Sequence, residues 1–184
     1  MTAIMIGLVG TNGSGKSTIC DYLVDRGFQR YSLSSVIHNY VREKGLQATR
    51  DNLVETSNRL KAQKGQDVLA REMFQRSMKE GATKIVFDSI RNPHEVKFLK
   101  DHYVTLIGVD APIEKRYERI SARKRESDLI DFETFRKHDQ RENCGESSGQ
   151  NVFAAMEACE NVVTNDGSYE DLCEQVDQLL SVYI

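Results

Sequence analysis

The chain alternates short, unbroken apolar runs with longer stretches in which apolar residues recur every three or four positions. The runs at 3–9, 28–32, 84–88, 104–110 and 161–165 have strand length. Their lack of polar alternation predicts strands covered on both faces. Helical spacing fills the intervals. It places Ile19, Tyr22 and Leu23 on one face of 18–26, Leu33, Val36, Ile37 and Tyr40 on one face of 33–43, and Leu53, Val54 and Leu60 within 51–64. A further helix is predicted over 68–79, ended by Gly81. Asn92 and Pro93 read as cap and first residue of the next helix, and Pro112 opens another that runs to about 125. Ser168 and Asp171 form a capping-box signature ahead of Leu172, Val176, Leu179 and Leu180. Strands interleaved with helices predict a parallel α/β sandwich. The polar, Gly/Ser-rich stretch 143–150 predicts a mobile loop.

Between the first strand and the first helix stands Gly10-Thr-Asn-Gly-Ser-Gly-Lys-Ser17. It meets the phosphate-loop pattern G-x-x-x-x-G-K-[ST] at every fixed position, in the strand–loop–helix context that pattern requires. The glycines let successive amides turn toward an oxyanion, and the helix start adds a positive end. Lys16 is expected to reach the β- and γ-phosphates of ATP, and Ser17 to ligate Mg²⁺. Gly10, Thr11, Asn12, Gly13, Ser14, Gly15, Lys16, Ser17 and Thr18 are therefore the expected nucleotide contacts.

Bulk properties narrow the setting. With 184 residues the chain suits one domain, 1–184. A net charge of −3 excludes a global electrostatic case for a nucleic-acid or membrane partner. No apolar run reaches spanning length, and the first residues read as a core strand. The cysteines Cys20, Cys144, Cys159 and Cys173 lack C-x-x-C spacing, which suits free thiols in the cytoplasm. A monomer or homodimer is expected.

Other charged residues fall near the sheet edge where ligands bind in open parallel folds. Asp88, at the end of the third predicted strand, is expected to support Mg²⁺. Arg91 suits an acceptor phosphate, because its fork matches phosphate oxygens. Arg116, Arg119 and Arg123 share one helix face, beside an apolar stripe of Ile113, Tyr117 and Ile120. Arg42, Arg50 and Arg59 lie in the helical insertion between strands two and three, and no spacing singles one of them out. Ser34, Arg42, Arg59 and Arg91 are the expected acceptor contacts. The histidines form no ligand spacing.

These motifs resemble the P-loop nucleoside monophosphate kinase-like group, including adenylate-kinase-related and dephospho-coenzyme-A-kinase-like proteins. The resemblance runs nearly end to end. It rests on the phosphate loop, Tyr31-Ser-Leu-Ser34, Asp88-Ser-Ile-Arg-Asn-Pro-His-Glu-Val96, Arg116-Tyr-Glu-Arg-Ile-Ser-Ala-Arg123 and Val162-Val-Thr-Asn-Asp-Gly-Ser168. It implies a three-layer fold with a five-stranded sheet ordered 2-3-1-4-5. It further implies an acceptor-binding region over 33–82 and a lid over 119–150. Asn165 and Gly167 would lie beside adenine, Arg119 and Arg123 would close over the transferring phosphoryl, and Arg91 would orient the acceptor. Two departures stand out. Dephospho-coenzyme A kinases carry an acid just after the second strand, where this chain has Tyr31-Ser-Leu-Ser34. Adenylate kinases carry Asp-Gly-Phe-Pro-Arg where this chain has Asp-Ser-Ile-Arg-Asn-Pro. The expectation is phosphoryl transfer from ATP to a small phosphorylated acceptor, foremost a (deoxy)nucleoside monophosphate. Dephospho-coenzyme A kinase and a nucleotide switch or assembly-factor ATPase remain as alternatives.

Overall fold

The computed structural model describes residues 3–123, 130–143 and 150–181. Its strands are β1 (Ile4–Gly10), β2 (Gln29–Ser32), β3 (Lys84–Ile90), β4 (Thr105–Asp110) and β5 (Asn161–Thr164). They form one parallel sheet in the order β2-β3-β1-β4-β5, as the resemblance implies. The helices are α1 (Lys16–Asp25), α2 (Ser34–Glu43), α3 (Arg50–Lys64), α4 (Val68–Lys79), α5 (Pro93–Asp101), α6 (Ile113–Ala122), α7 (Phe132–Asn143), α8 (Val152–Glu157) and α9 (Tyr169–Leu180). The anticipated loop at 143–150 lies mostly outside the described residues, as does Cys144. Helices α7 and α8 stand on either side of that gap, where no helix was anticipated.

Strand residues alternate between two cores. Ile6, Leu8, Val86, Ile107 and Val109 pack under α1 and α9, against Ile19, Leu23, Leu172 and Val176. Ile85, Phe87, Ile90 and Leu106 face the opposite layer, against Val36, Leu69, Met73, Val96 and Leu99. Both faces of the sheet are thereby removed from water, which is why the strands are apolar at successive positions.

β3 runs two residues beyond the predicted end at Asp88. It does so through a bulge: Gly7 pairs with Phe87 and Val9 with Ile90, so β3 carries one extra residue. Ser89 in the bulge takes φ 61°, unusual for a residue with a Cβ. The bulge leaves Asp88 buried on the α1 side while Ile90 stays in the other core.

Helix ends explain a second outlier. α5 closes with Tyr103 N–H donating to Lys100 O at 3.0 Å and Val104 N–H to Leu99 O at 3.0 Å. This two-bond cap needs a left-handed residue after the helix. The same cap closes α1, α2 and α4 around Gly27, Gly45 and Gly81, whereas α5 uses Tyr103 at φ 61°. Tyr103 is 91% exposed, so its ring gains no burial in return. Tyr103→Gly is expected to stabilise the protein by about 1 kcal/mol, because a left-handed Cβ costs about 1–2 kcal/mol and glycine's extra chain entropy takes back part of it. For a chain of this size that is a rise of about 2–4 °C in Tm by calorimetry. An unchanged or lowered Tm would sink the strain argument.

Candidate active site

The loop after β1 is held from outside. Lys16 Nζ donates to Gly10 O at 2.8 Å and to Thr11 O at 2.6 Å. Arg116 Nη1 donates to Asn12 O at 3.3 Å, Arg119 Nη1 to Gly13 O at 3.5 Å, and Asn165 Nδ2 to Ser14 O at 2.9 Å. Every carbonyl from Gly10 to Ser14 thus points at a side-chain donor. A trans peptide sends the following N–H the opposite way, which turns the Gly13 and Gly15 amides inward, as anion binding needs, while Ser14 N–H donates to Thr11 O at 3.3 Å. Gly13 is required by space as well as angle, and a side chain at Gly15 would displace the Asn165 amide. A Cβ on Gly13 would lie 2.8 Å from Arg116 O, and one on Gly15 would lie 2.0 Å from Asn165 Nδ2.

Lys16 is half-buried as a residue, but its ammonium end is enclosed. Desolvation, followed by the charge of Arg91, drops its pKa from 10.5 to about 7, with Asp88 opposing and Arg123 adding to the drop. Lys16, Asp88, Arg91 and Arg123 therefore share one electrostatic neighbourhood. Ser17 is exposed and Thr18 half-buried, in the first turn of α1.

Asp88 is 4% exposed. Its Oδ2 accepts from Arg30 Nε at 2.7 Å and from Arg30 Nη2, and from Cys20 Sγ at 3.7 Å. Its Oδ1 is buried without a hydrogen-bond partner. Burial and the Asp88 charge push the Cys20 thiol up to about 12. An unpartnered buried carboxylate oxygen, on an aspartate that touches Cys20 one helical turn after the exposed Ser17, fits hydrated Mg²⁺, which keeps several waters and takes few protein ligands. When bound, the ion would neutralise charge on the β- and γ-phosphates. Among the described residues no cluster of three or more His, Cys, Asp or Glu could hold a metal by itself.

Arg116, Arg119 and the helix-capping Arg123 separate in their contacts. Arg116 turns inward and forms a two-pronged pair with Asp139 of α7, at 2.6 and 2.8 Å. Arg119 donates to Asn165 O at 3.0 Å and Asn165 Oδ1 at 3.1 Å, which sets it on the Asn165 side of the loop. Arg123 caps α6, and Lys124 and Arg125 lie outside the described residues. Gly167 packs on Asp171 in the turn that caps α9.

A cleft of about 690 Å³ adjoins Asn12 of the loop. Its cations are Arg50, Lys61 and Arg91, with His38 nearby, and Ser34, Ser57 and Ser89 supply hydroxyls. Ser34 and Ser89 stand 3.0 and 3.2 Å from the Ser32 hydroxyl. The acid in this wall is Glu95, whose Oε2 accepts from Arg91 N–H at 3.0 Å. Burial raises the Glu95 pKa, and the Lys61 charge opposes that rise. Arg91 Nη1 donates to Gln150 Oε1 at 3.2 Å. Ser34 and Arg91 thus both line this cleft. Arg42 and Arg59 do not line the cleft. Both are exposed, and Arg42 instead donates to Asn39 Oδ1 at 2.8 Å. Arg50 stands in their place, together with Lys61, a residue that no sequence spacing marked.

A parallel sheet ordered 2-3-1-4-5, with a glycine loop between its central strand and first helix, defines the P-loop kinase-like class. The AAA domain profile matches residues 6–143. The UPF0200 protein of Methanoculleus marisnigri is 33% identical over 178 residues, spanning 96% of this chain and 94% of its own length. The chain belongs to this AAA-domain, UPF0200 family. It also matches the UPF0200/UPF0201 protein of Archaeoglobus fulgidus at 33% identity, covering only 54% of that longer protein. In three dimensions TT1252 from Thermus thermophilus superimposes with a TM-score of 0.68 at 22% identity, over 100% of both chains. A shikimate kinase from Acinetobacter baumannii, solved with shikimate, gives 0.61 at 18% identity over 99% of this chain and 95% of that one. At such identities the structures speak for the fold. No helix of the described residues is long and apolar enough to cross a membrane.

The depressed Lys16 pKa has a testable sign. A bound triphosphate favours the ammonium form, so nucleotide binding is expected to draw a proton onto Lys16 between pH about 7 and 10.5. Affinity should therefore fall as pH rises through that window. Calorimetry of ATP binding in buffers of different ionisation enthalpy should show uptake approaching about one proton, lost in Lys16→Met. Uptake near zero at every pH in the window would contradict this.

Proposed function

We propose that the protein transfers the γ-phosphoryl group of ATP, with Mg²⁺, to a small acceptor that already carries a phosphate, foremost a (deoxy)nucleoside monophosphate. The supporting observation is the charge of the cleft beside the loop. Arg50, Lys61 and Arg91 line it, and its carboxylate, Glu95, is committed to the Arg91 backbone N–H. A hydroxyl acceptor calls for a general base, and a phosphate acceptor, already ionised, does not. Asp88 is ill-placed to be that base, because it lies against Cys20 of α1 with its Oδ2 held by Arg30 and does not line the cleft.

In this reading the loop amides and Lys16 hold the β/γ-phosphates, and Ser17 with Asp88 holds the hydrated ion. Arg91 orients the acceptor, and Arg123 adds positive charge near Lys16. Arg119 acts beside Asn165, where the nucleotide's base would lie. Catalysis is then positioning plus electrostatic stabilisation of the moving phosphoryl group.

The test is acceptor-dependent ADP formation over a panel of nucleoside monophosphates, dephospho-coenzyme A and shikimate. Shikimate enters because a shikimate kinase shares the fold. At least one monophosphate should be turned over and shikimate should not. Lys16→Met should lower kcat by about 10²-fold or more, the scale of losing one transition-state donor. Arg91→Met should raise the acceptor KM by about tenfold or more while leaving the ATP KM near wild type. ADP release indifferent to every acceptor would favour an ATPase switch, and efficient use of shikimate would overturn the phosphate-acceptor reading.

A further inference from the structure

We infer that Arg116, fixed by Asp139, is a positioning residue for the phosphate loop and not a group that touches the nucleotide. The inference rests on the phosphate-loop reading and is independent of the acceptor. On helix spacing alone Arg116 belongs with Arg119 and Arg123, facing the phosphates. Its surroundings are different. The residue is 5% exposed, and its guanidinium lies 5.9 Å from the centre of the Phe135 ring. Four of its five N–H groups are taken: Nε by Ala111 O at 3.0 Å, Nη1 by Asn12 O at 3.3 Å and Asp139 Oδ1 at 2.6 Å, Nη2 by Asp139 Oδ2 at 2.8 Å.

The contact with Asn12 O carries the functional content. That carbonyl shares a planar trans peptide with the Gly13 N–H, so drawing the oxygen toward α6 turns the Gly13 amide the other way, into the cradle. Gly13 is also seated on the Arg116 backbone, where a Cβ would come within 2.8 Å of the carbonyl oxygen. Orientation therefore comes from side chain and main chain of one residue. The hold also outlasts nucleotide arrival. Lys16 pins Gly10 O and Thr11 O, but it must turn to the phosphates when they bind. Arg116 has no such second task, so the apex stays set while Lys16 moves. Asp139 makes this dependable. A lone arginine could turn toward an incoming phosphate, whereas one gripped by both oxygens of a buried carboxylate keeps its fork in place. Helix α7, at the far side of 124–129 in the chain, thereby sets the geometry of a loop near the first strand.

The experiment compares Asp139→Asn and the double variant Arg116→Met/Asp139→Leu with the wild-type chain. The double variant removes both buried charges together, which is commonly tolerated, whereas removing one strands the other. MgATP affinity is measured by calorimetry and the MgATP-induced rise in Tm by scanning fluorimetry. Both variants should lose MgATP affinity, the double variant by about tenfold or more, the scale of one hydrogen bond to a charged group. The ligand-induced rise in Tm should shrink to match. A purely structural tie between α6 and α7 would lower the ligand-free Tm and leave affinity unchanged. A folded double variant binding MgATP within about twofold of wild type would therefore overturn the inference. Should the double variant not fold, Asp139→Asn decides by the same criterion. Absence of MgATP binding by the wild-type chain would instead strike the phosphate-loop reading itself, and this proposal with it.

Discussion

Everything chemical in this protein depends on a backbone turned inside out at one place. Five successive carbonyls, Gly10 to Ser14, accept from the side chains of Lys16, Arg116, Arg119 and Asn165. Left alone, a short glycine-rich turn would satisfy its carbonyls with water and sample many shapes. Here donors from α1, α6 and the turn after β5 hold it in one. The cost of ordering the loop is met by folding, before any ligand arrives, which is the condition for tight anion binding. The sheet order follows the same need. β1 is central, flanked by β3 and β4, so the segments that follow both neighbours converge on the loop.

The parts of this arrangement that obey local rules were open to reading from the chain. The phosphate loop, the five strands, the Asn92 cap and the Ser168 capping box are short-range patterns, and each appears where the spacing puts it. The parts that depend on distant partners were not. Arg30 and Asp88 lie 58 residues apart, Arg116 and Asn12 lie 104 apart, and neither pairing leaves a periodic trace. Helix spacing put Arg116, Arg119 and Arg123 on one face, correctly, but azimuth on a helix does not say what stands opposite. Asp139 does, and it belongs to a helix whose polar later turns, 136–143, hide it among the residues assigned to a lid. Preferring Arg42 and Arg59 to Arg50 has no basis in spacing, because an insertion of three helices can turn any face inward. The packing of α3 on α2 and α4 made that choice. Lys61 escaped notice since a buried lysine beside a buried Glu95 looks, in sequence, like two ordinary surface charges.

The bulge in β3 connects the two halves of the site. An uninterrupted strand would continue strict alternation past Asp88. One extra residue instead lets Asp88 remain under the loop, Ser89 reach the cleft and Ile90 return to the core. The unfavourable angle at Ser89 is maintained because Val9 and the core on both sides over-determine it. A single irregularity thus serves both the Asp88 side and the cleft side of the proposed site at once, at the sheet edge where open parallel folds place their ligands.

Cys20 has a bearing on durability. Its sulfur is shut in between α1 and β3 with a carboxylate for company, and both influences keep the proton on it far above neutrality. Peroxides and electrophiles attack the thiolate, a form this residue hardly adopts. The Cys20 sulfur bordering the Lys16–Asp88 neighbourhood is thus poorly reactive, and oxidising conditions that would disable a phosphate site built around a reactive cysteine should spare this one.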